Sequence, residues 1–269
     1  MRNADFPFLP KDFIQTQEGL IFAVVSYQVH DGKVGCFLRY IAEGDKWKKV
    51  GTEQANQLLL QHYPHYLYQS DQFDATFHAV ELKDIVEHHQ PEKRLASVLQ
   101  GEAKDHIEHK LQQLVPILVR YGANTDELGL TGSMLINQQG KNSDIDLVVY
   151  GRDEFHKTRE AVQLAIDEGV LHSLSLSLME DNFNRRLGEL SFNEFAWHEN
   201  RKFNKAAIEG IKFDIGMVCL LDEYEHDNKQ YQKQGIRTVI TKVVDDHRAF
   251  DFPAVYIVDD EMTPEIVSF

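Results

Sequence analysis

The segment GLTGSMLINQQGKNSDIDLVVYG, residues 129–151, carries the strongest structural signal in the central part of this chain. Within it, Asp144 and Asp146 open an apolar, β-branched run. Alternate side chains of an extended strand share a face, so both carboxylates point the same way while Ile145 points into a core. Two like charges at that spacing repel each other unless a cation lies between the oxygens. Mg²⁺ meets this requirement, because it accepts a few carboxylates and keeps water for phosphates.

A glycine and a serine precede this strand by about ten residues. Gly132 permits a positive φ or a close backbone approach, and Ser133 can present its N–H and hydroxyl where a helix or turn begins. Backbone N–H groups at such an opening attract anions, so the pair predicts a phosphate-binding turn. The alternatives are an ordinary helix N-cap at Ser133 and, for the aspartates, a strand that simply leaves the polar turn Asn142–Asp144.

The order GS, a short spacer and SDIDLVV resembles the active-site signature of the nucleotidyltransferase fold of the DNA polymerase beta superfamily. The resemblance extends from about Leu111 to Leu221. It implies an α+β fold with a mixed sheet flanked by helices, and a third carboxylate on a neighbouring strand. The segment KFDIGMV, residues 212–218, has a lone acid in an apolar run, which makes Asp214 the candidate.

The same resemblance implies a reaction and its ligands. Two metal ions, Mg²⁺ or Mn²⁺, would be bound by Asp144, Asp146 and Asp214. A nucleoside triphosphate would be held through its phosphates near Gly132 and Ser133, and a nucleoside monophosphate would pass to an acceptor hydroxyl with release of pyrophosphate. The acceptor stays open between a small molecule, a protein and RNA, and the sequence indicates neither the nucleobase nor the oligomeric state.

The densest basic cluster in the chain follows the predicted helical region and precedes the strand of Asp214. It comprises RKFNK, residues 201–205, and Lys212, and from it we predict nucleotide contacts for Lys202 and Lys212. For any single one of these cations, a solvated surface position or a helical ion pair is the alternative. Weaker candidates for phosphate contacts are Lys141, Arg152, Arg185 and Arg186.

The amino-acid composition limits the classes of binding partner and the cellular compartment that we expect. The 269 residues include 28 basic and 43 acidic ones, a formal net charge of −15, which argues against broad nucleic-acid binding because that affinity comes from Lys and Arg. An RNA-end nucleotide-adding enzyme with a local basic lane stays an alternative, as does a catalytically inactive nucleotide-binding regulatory protein. Cys36 and Cys219 are predicted to be buried thiols. The chain has no apolar stretch of membrane-spanning length and no signal-peptide pattern, so we expect a cytoplasmic protein without a membrane partner.

Hydrophobic periodicity predicts three parts: an α+β module over residues 1–91, a nucleotidyltransferase-like domain over 92–225 and a β segment over 226–269. The expected elements of the outer parts are a hairpin of Leu20–Tyr27 and Val34–Ile41, a helix Glu53–His62 with Thr52 as N-cap, a helix Leu82–His89, and strands Ile236–Val244 and Ala254–Val258. In the central part we expect a helical region over 92–121 with breaks at Gly101 and Pro116, a helix over Met134–Asn137 and strands Ile145–Tyr150 and Ile211–Leu221.

Overall fold

The computed structural model describes residues 7–185, 188–224 and 229–268. The chain forms two compact units: Met1–His89 together with Val218–Phe269, and Gln90–Met217. Its architecture is α+β, as the sequence predicted, and the described ranges contain three sheets and six α-helices. The sequence-based division into three domains is a statement about parts that fold independently, and it stays a prediction. Arg186 lies outside the described residues.

The first unit begins with one antiparallel sheet. Its seven strands take the order β5-β6-β3-β2-β1-β7, and β4 pairs with β3. The elements are β1 (Phe13–Thr16), β2 (Leu20–His30), β3 (Lys33–Glu43), β4 (Lys46–Lys49), α1 (Thr52–His62), β5 (Leu67–Ser70), β6 (Ala75–Glu81) and β7 (Ile85–His89).

The predicted hairpin is confirmed as β2 and β3. Asp31 and Gly32 at its turn both have positive φ, +50° and +79°, which suits a tight turn between right-twisted strands. The two long strands pack one face on α1, and Phe22, Leu38 and Leu59 of this core are fully buried. Burial of such side chains contributes roughly 1.5–3 kcal/mol each.

Two predicted elements of this unit differ in the structure. The helix predicted over Leu82–His89 is wrong: a short 3₁₀ turn, Leu82–Asp84, leads into β7, which pairs with β1. The sheet edge supplies this segment with backbone partners that local sequence does not reveal. Helix α1 is confirmed, but its N-cap is Gly51, and Thr52 is the first helical residue.

The second unit holds a four-stranded sheet of order β10-β11-β9-β8 and the remaining helices. Its elements are α2 (Pro91–Gln100), α3 (His106–Arg120), β8 (Leu128–Leu130), β9 (Ile145–Tyr150), α4 (Arg152–Asp167), α5 (Leu176–Asn184), α6 (Phe192–Lys202), β10 (Lys205–Ile208) and β11 (Ile211–Val218). The strands of the predicted site, β9 and β11, are neighbours in the middle of this sheet.

The predicted helical region over 92–121 is two helices. It breaks at Gly101 as expected, whereas Pro116 lies inside α3 without ending it. Asp105 caps α3 by accepting hydrogen bonds from the N–H groups of Ile107 and Glu108, both at 2.9 Å. Residues at helical spacing along α3, from Ile107 to Leu118, are buried and anchor the helix in this unit.

The carboxyl-terminal segment forms a three-stranded antiparallel sheet of β12 (Val243–Asp245), β13 (Ala254–Val258) and β14 (Glu265–Ser268). The predicted strand Ile236–Val244 is therefore wrong over most of its length, and Ile236 and Ile240 are fully exposed. Cys36 and Cys219 are buried free thiols, as predicted. None of the helices in the described ranges combines the length and apolar character that a membrane span requires.

Candidate active site

Asp144 and Asp146 bracket the start of β9. Ile145 between them is fully buried, while both aspartates are partly exposed, so the two carboxylates lie on the face opposite the core, as the alternation predicted. Leu147, Val148 and Val149 are buried and fix the strand in the sheet. The apolar run therefore holds the two acids at a defined position at the beginning of a central strand.

Gly132 packs directly on Asp146. Its φ is +66°, and a Cβ added at this position would overlap Oδ2 of Asp146 and lie 2.9 Å from its Cγ. The backbone N–H of Thr131 also donates to the carbonyl oxygen of Asp146 at 2.9 Å, which ties the turn to β9. Only glycine leaves room for the Asp146 carboxylate here, so the two halves of the sequence signature meet in space.

Ser133 follows in a five-residue 3₁₀ helix, Gly132–Ile136, where the sequence predicted a helix over Met134–Asn137. Its hydroxyl lies 3.5 Å from that of Ser143, a long contact, and Ser143 in turn accepts a hydrogen bond from the N–H of Gly140. Ser133 thus connects the glycine turn to the loop that carries Asp144. This arrangement keeps the predicted phosphate-binding turn and the two aspartates together.

Lys212 joins the first aspartate to the third. Its Nζ lies 2.9 Å from Oδ2 of Asp144 and 3.2 Å from Oδ2 of Asp214. The lysine side chain is 7% exposed, whereas the two aspartate side chains are about one third exposed, at 34% and 29%. One buried ammonium therefore bridges two carboxylates that are 70 residues apart in sequence.

The charges of this cluster are set by burial and by one another. Burial alone would lower the pKa of Lys212, but the carboxylates of Asp214 and Asp144 raise it above its ordinary value, so the ammonium stays charged. Burial raises the pKa of Asp214, and the attraction of Lys212 and Lys205 offsets only part of that effect. Oδ1 of Asp214 is buried and has no hydrogen-bond partner among the described residues.

Lys202, the other predicted nucleotide contact, lies in a second ion cluster. Its ammonium binds Glu199 at 2.5 Å, and Lys205 binds the other oxygen of Glu199 at 2.7 Å. Lys205 on β10 also lies opposite Asp214 on β11 in the antiparallel register. In the part of the chain that the structure describes, Lys202 does not contact the aspartates; Lys205 is the link between the two clusters.

Whether these residues suit a metal ion depends on which of their carboxylate oxygens are available as ligands. As they stand, the described residues contain no group of three or more His, Cys, Asp or Glu side chains placed to hold a metal. Lys212 instead supplies the cation between Asp144 and Asp214. The unpartnered Oδ1 of Asp214 and the space that Gly132 leaves for Asp146 nevertheless offer oxygen ligands, and such a set suits Mg²⁺ or Mn²⁺.

Sequence reasoning missed the partner of the aspartates. It assigned Lys212 to phosphate, although Lys212 and Asp214 are two residues apart on one strand and must share a face. That spacing was the available signal for an ion pair within the site. The link to Asp144 had no sequence signal, because it depends on β9 and β11 being neighbours.

A family model matches the central part of the chain. Residues 110–204 match the model of the nucleotidyltransferase domain, a span that includes Gly132, Ser133, Asp144 and Asp146 but ends before Asp214. Together with the fold, this match defines the central unit as a nucleotidyltransferase domain of the polymerase beta-like superfamily.

The chain as a whole is 32% identical over 291 aligned residues to an uncharacterized protein of Methanocaldococcus jannaschii, with 96% of this chain and 84% of that protein covered. It belongs to the same family of nucleotidyltransferase-domain proteins as this archaeal relative. Because the match covers 96% of this chain, the similarity to this relative includes the flanking segments as well as the central domain. No solved structure matches the chain significantly.

Proposed function

We propose that this protein is a metal-dependent nucleotidyltransferase that transfers a nucleoside monophosphate from a nucleoside triphosphate to an acceptor hydroxyl and releases pyrophosphate. The nucleotidyltransferase domain supports nucleotidyl transfer in general. The observation that carries the finer proposal is the convergence of Asp144 and Asp214 on one buried ammonium, next to the strand that packs Asp146 on Gly132.

Three carboxylates would hold the metal: Asp144, Asp146 and Asp214. Bound Mg²⁺ or Mn²⁺ would lower the pKa of the attacking hydroxyl and neutralise charge on the pyrophosphate leaving group. The convergence of Asp144 and Asp214 on a single cation supports this assignment, since a site that already binds a monovalent ammonium has the negative potential that a divalent ion requires.

The remaining chemistry falls to residues of this chain. The acceptor oxygen forms a bond to the α-phosphorus while the bond from that phosphorus to the bridging oxygen breaks, and pyrophosphate leaves. In this proposal, the proton of the acceptor hydroxyl passes to the carboxylate of Asp214. Gly132 and Ser133 position the triphosphate through backbone N–H groups of the turn.

The two lysines have partners that allow them to turn to phosphate. Lys212 loses its role between the carboxylates once a divalent cation replaces it, and its ammonium is then available to the triphosphate. Lys202 can leave Glu199 without exposing a bare buried carboxylate, because Lys205 still binds the other oxygen of Glu199. These alternative partners support nucleotide contacts for Lys202 and Lys212.

One observation favours a second candidate, a nucleotide-binding regulatory protein without turnover. Lys212 already pairs with two of the acids and offsets part of their charge, which stabilises the site without a metal ion. Such a protein would bind the triphosphate but release no pyrophosphate, which separates it from the enzyme in a direct assay.

The test uses the full chain. Mn²⁺ binding is measured by isothermal titration calorimetry, and release of pyrophosphate is measured with each of the four ribonucleoside triphosphates against a panel of hydroxyl acceptors. We expect that Asp144→Asn, Asp146→Asn and Asp214→Asn each abolish pyrophosphate release while the melting temperature shows a folded protein. Asp181→Asn, at an exposed position of α5, is the matched control and should behave as the wild type.

The results of these assays distinguish the proposed enzyme from the other candidate functions. Triphosphate binding without pyrophosphate release across the panel supports the regulatory protein. Turnover retained in the Asp144→Asn variant, or the absence of any Mn²⁺ uptake by the wild type, contradicts the proposed mechanism. Release that occurs only with RNA acceptors, with steep salt dependence of RNA binding, identifies an RNA-end nucleotide-adding enzyme.

A further inference from the structure

A cavity of about 490 Å³ lies within the first unit, away from the residues of the proposed transfer reaction in the chain. Its walls come from residues 25–28 of β2, from Phe73 and Phe77, and from the carboxyl-terminal segment through Tyr224 and Phe252. The volume falls in the range of small-molecule sites, about 300–1,000 Å³. No residue of the proposed nucleotidyl transfer lines this cavity, so it calls for a separate explanation.

An extended bulge in β2 builds one wall. Val24 lies opposite Cys36 and Val29 opposite Val34, so four residues of β2, Val25 to Gln28, face the single residue Gly35 of β3. A Cβ at Gly35 would lie 2.9 Å from Cβ of Ser26 and 3.1 Å from Cδ2 of His30, so the bulge closes only over glycine. Bulges redirect side chains and are enriched beside functional sites, and this one turns four consecutive residues towards the cavity.

Aromatic rings make up much of the cavity wall. Phe77 meets the ring of His30 edge to face at 5.2 Å, and Phe73 meets it at 6.1 Å. On the other side, Tyr27 of the bulge stacks on Tyr224 at 4.5 Å with an interplanar angle of 25°. Such walls favour a flat apolar ligand, because the faces and edges of aromatic rings make their most favourable contacts with another aromatic ring.

The polar groups of the cavity are few and specific. Oγ of Ser26 lies 2.8 Å from Nε2 of His30, and burial lowers the pKa of His30 although the charge of Asp31 partly offsets it. The imidazole is therefore neutral near pH 7. Lys233 is the one formally charged residue among those that line the cavity in the described chain. The residues that line the cavity thus carry a single formal charge, which is positive.

We propose that this cavity binds a small, flat aromatic molecule that carries one acidic group. Its ring packs between Phe77 and Phe252, and its acidic group faces Lys233. A nucleoside triphosphate does not fit this description, since several phosphate charges would face one cation and apolar walls. The site is therefore distinct in ligand class from the proposed transfer site.

The test compares two fluorescent probes on the full chain. Anilinonaphthalene sulfonate is a flat aromatic anion, and phenylnaphthylamine has the same ring system without the sulfonate. We expect saturable binding of one sulfonate probe per chain, at least tenfold tighter than the uncharged probe. Lys233→Met should abolish that difference and leave the affinity for the uncharged probe unchanged.

Two further variants complete the design. Lys46→Met, at an exposed position of β4 that does not line the cavity, is the matched charge control and should leave both affinities at the wild-type value. Ala75→Trp should fill the cavity and lower both affinities at least tenfold, and Phe252→Ala, at a position 43% exposed, serves if Ala75→Trp does not fold. Equal affinity for the two probes, or binding that Lys233→Met and the wall variants leave unchanged, overturns the proposal.

Discussion

Replacement of Gly132 by alanine tests whether the contact between the glycine turn and Asp146 organises the site. The new Cβ would overlap Oδ2 of Asp146 and lie 2.9 Å from Cγ, whereas unbonded carbon atoms normally pack at about 3.5–4.0 Å. The carboxylate must therefore move by on the order of 1 Å to restore an ordinary contact. Gly132 also has a φ of +66°, where alanine costs about 1–2 kcal/mol of stability.

These two effects predict different readouts. The backbone strain lowers the melting temperature by several degrees, because about 1 kcal/mol corresponds to roughly 2–4 °C for a chain of this size. The displaced carboxylate lowers the rate, since a shift of about 1 Å in a positioned group can reduce turnover by about 100-fold. We therefore expect Gly132→Ala to be folded, moderately less stable and about 100-fold slower in pyrophosphate release.

Two glycines of the same unit separate strain from displacement. Gly169 has a comparable φ of +74° and nothing within 4 Å of an added Cβ, so Gly169→Ala should lose stability but keep its activity. Gly140 has no positive φ and an equally open Cβ position, so Gly140→Ala should change neither. Activity is measured as pyrophosphate release and stability by thermal melting of each variant.

A rate of pyrophosphate release by Gly132→Ala within threefold of that of Gly169→Ala would contradict a role of this contact in organising the site. In that event, either Asp146 relaxes without loss of function or its position does not matter for the reaction. A loss of Mn²⁺ affinity in Gly132→Ala that Gly169→Ala lacks would assign the effect to metal binding rather than to turnover alone.

Three further predictions concern the ion pairs of the central unit. Lys212→Met leaves two acids without their cation, so we expect a loss of about 2 kcal/mol that added Mn²⁺ recovers in thermal melts; equal melting with and without Mn²⁺ would contradict it. Glu199→Gln should destabilise the protein by about 1–2 kcal/mol at pH 7. Burial alone would raise the pKa of Glu199, but Lys202 and Lys205 hold it below its ordinary value. The charged pair therefore stabilises the fold at pH values above the pKa of the unfolded state. In urea titrations, this stabilisation should be lost as the pH falls through the lower pKa of Glu199 in the folded protein. Glu108→Gln breaks the pair with Arg94, 2.6 Å long between side chains 2% and 10% exposed, and should lower the urea midpoint by the equivalent of about 3 kcal/mol, whereas a change under 1 kcal/mol would show that the pair is replaceable.

Local periodicity predicted the part of the site that one strand contains. The side chains of Asp144 and Asp146 share a face because the period of a strand is two residues, whatever surrounds it. The requirement for glycine at Gly132 followed from the same kind of argument, although its actual neighbour, Asp146, was not foreseen. Such properties depend on a few adjacent residues, and a single sequence displays them directly.

Features that depend on residues far apart in the sequence could not be predicted from local sequence patterns. Residues 85–89 became a strand because Phe13–Thr16 offers them a sheet edge, and His88 within that strand binds the buried Asp12 at 2.7 Å. Ile236 and Ile240 show the reverse, since they have strand propensity but pair with no strand of the described chain and stay exposed. Strand propensity describes how well a side chain fits a pleated surface, and that surface must exist elsewhere in the chain.

Lys212 resolves a conflict that the proposed chemistry imposes on folding. A site for divalent cations gathers carboxylates on neighbouring strands, and a partly buried group of like charges opposes the packing of those strands. The ammonium bound by Asp144 and Asp214 supplies one positive charge between two of these acids, so the sheet can form before any metal ion arrives. In the proposed reaction, a divalent ion would then have to displace the lysine, and this exchange would be easier when the phosphates of a nucleotide offer the ammonium a new partner. On the proposed function, the same residue that stabilises the empty fold would therefore make metal binding and triphosphate binding favour each other.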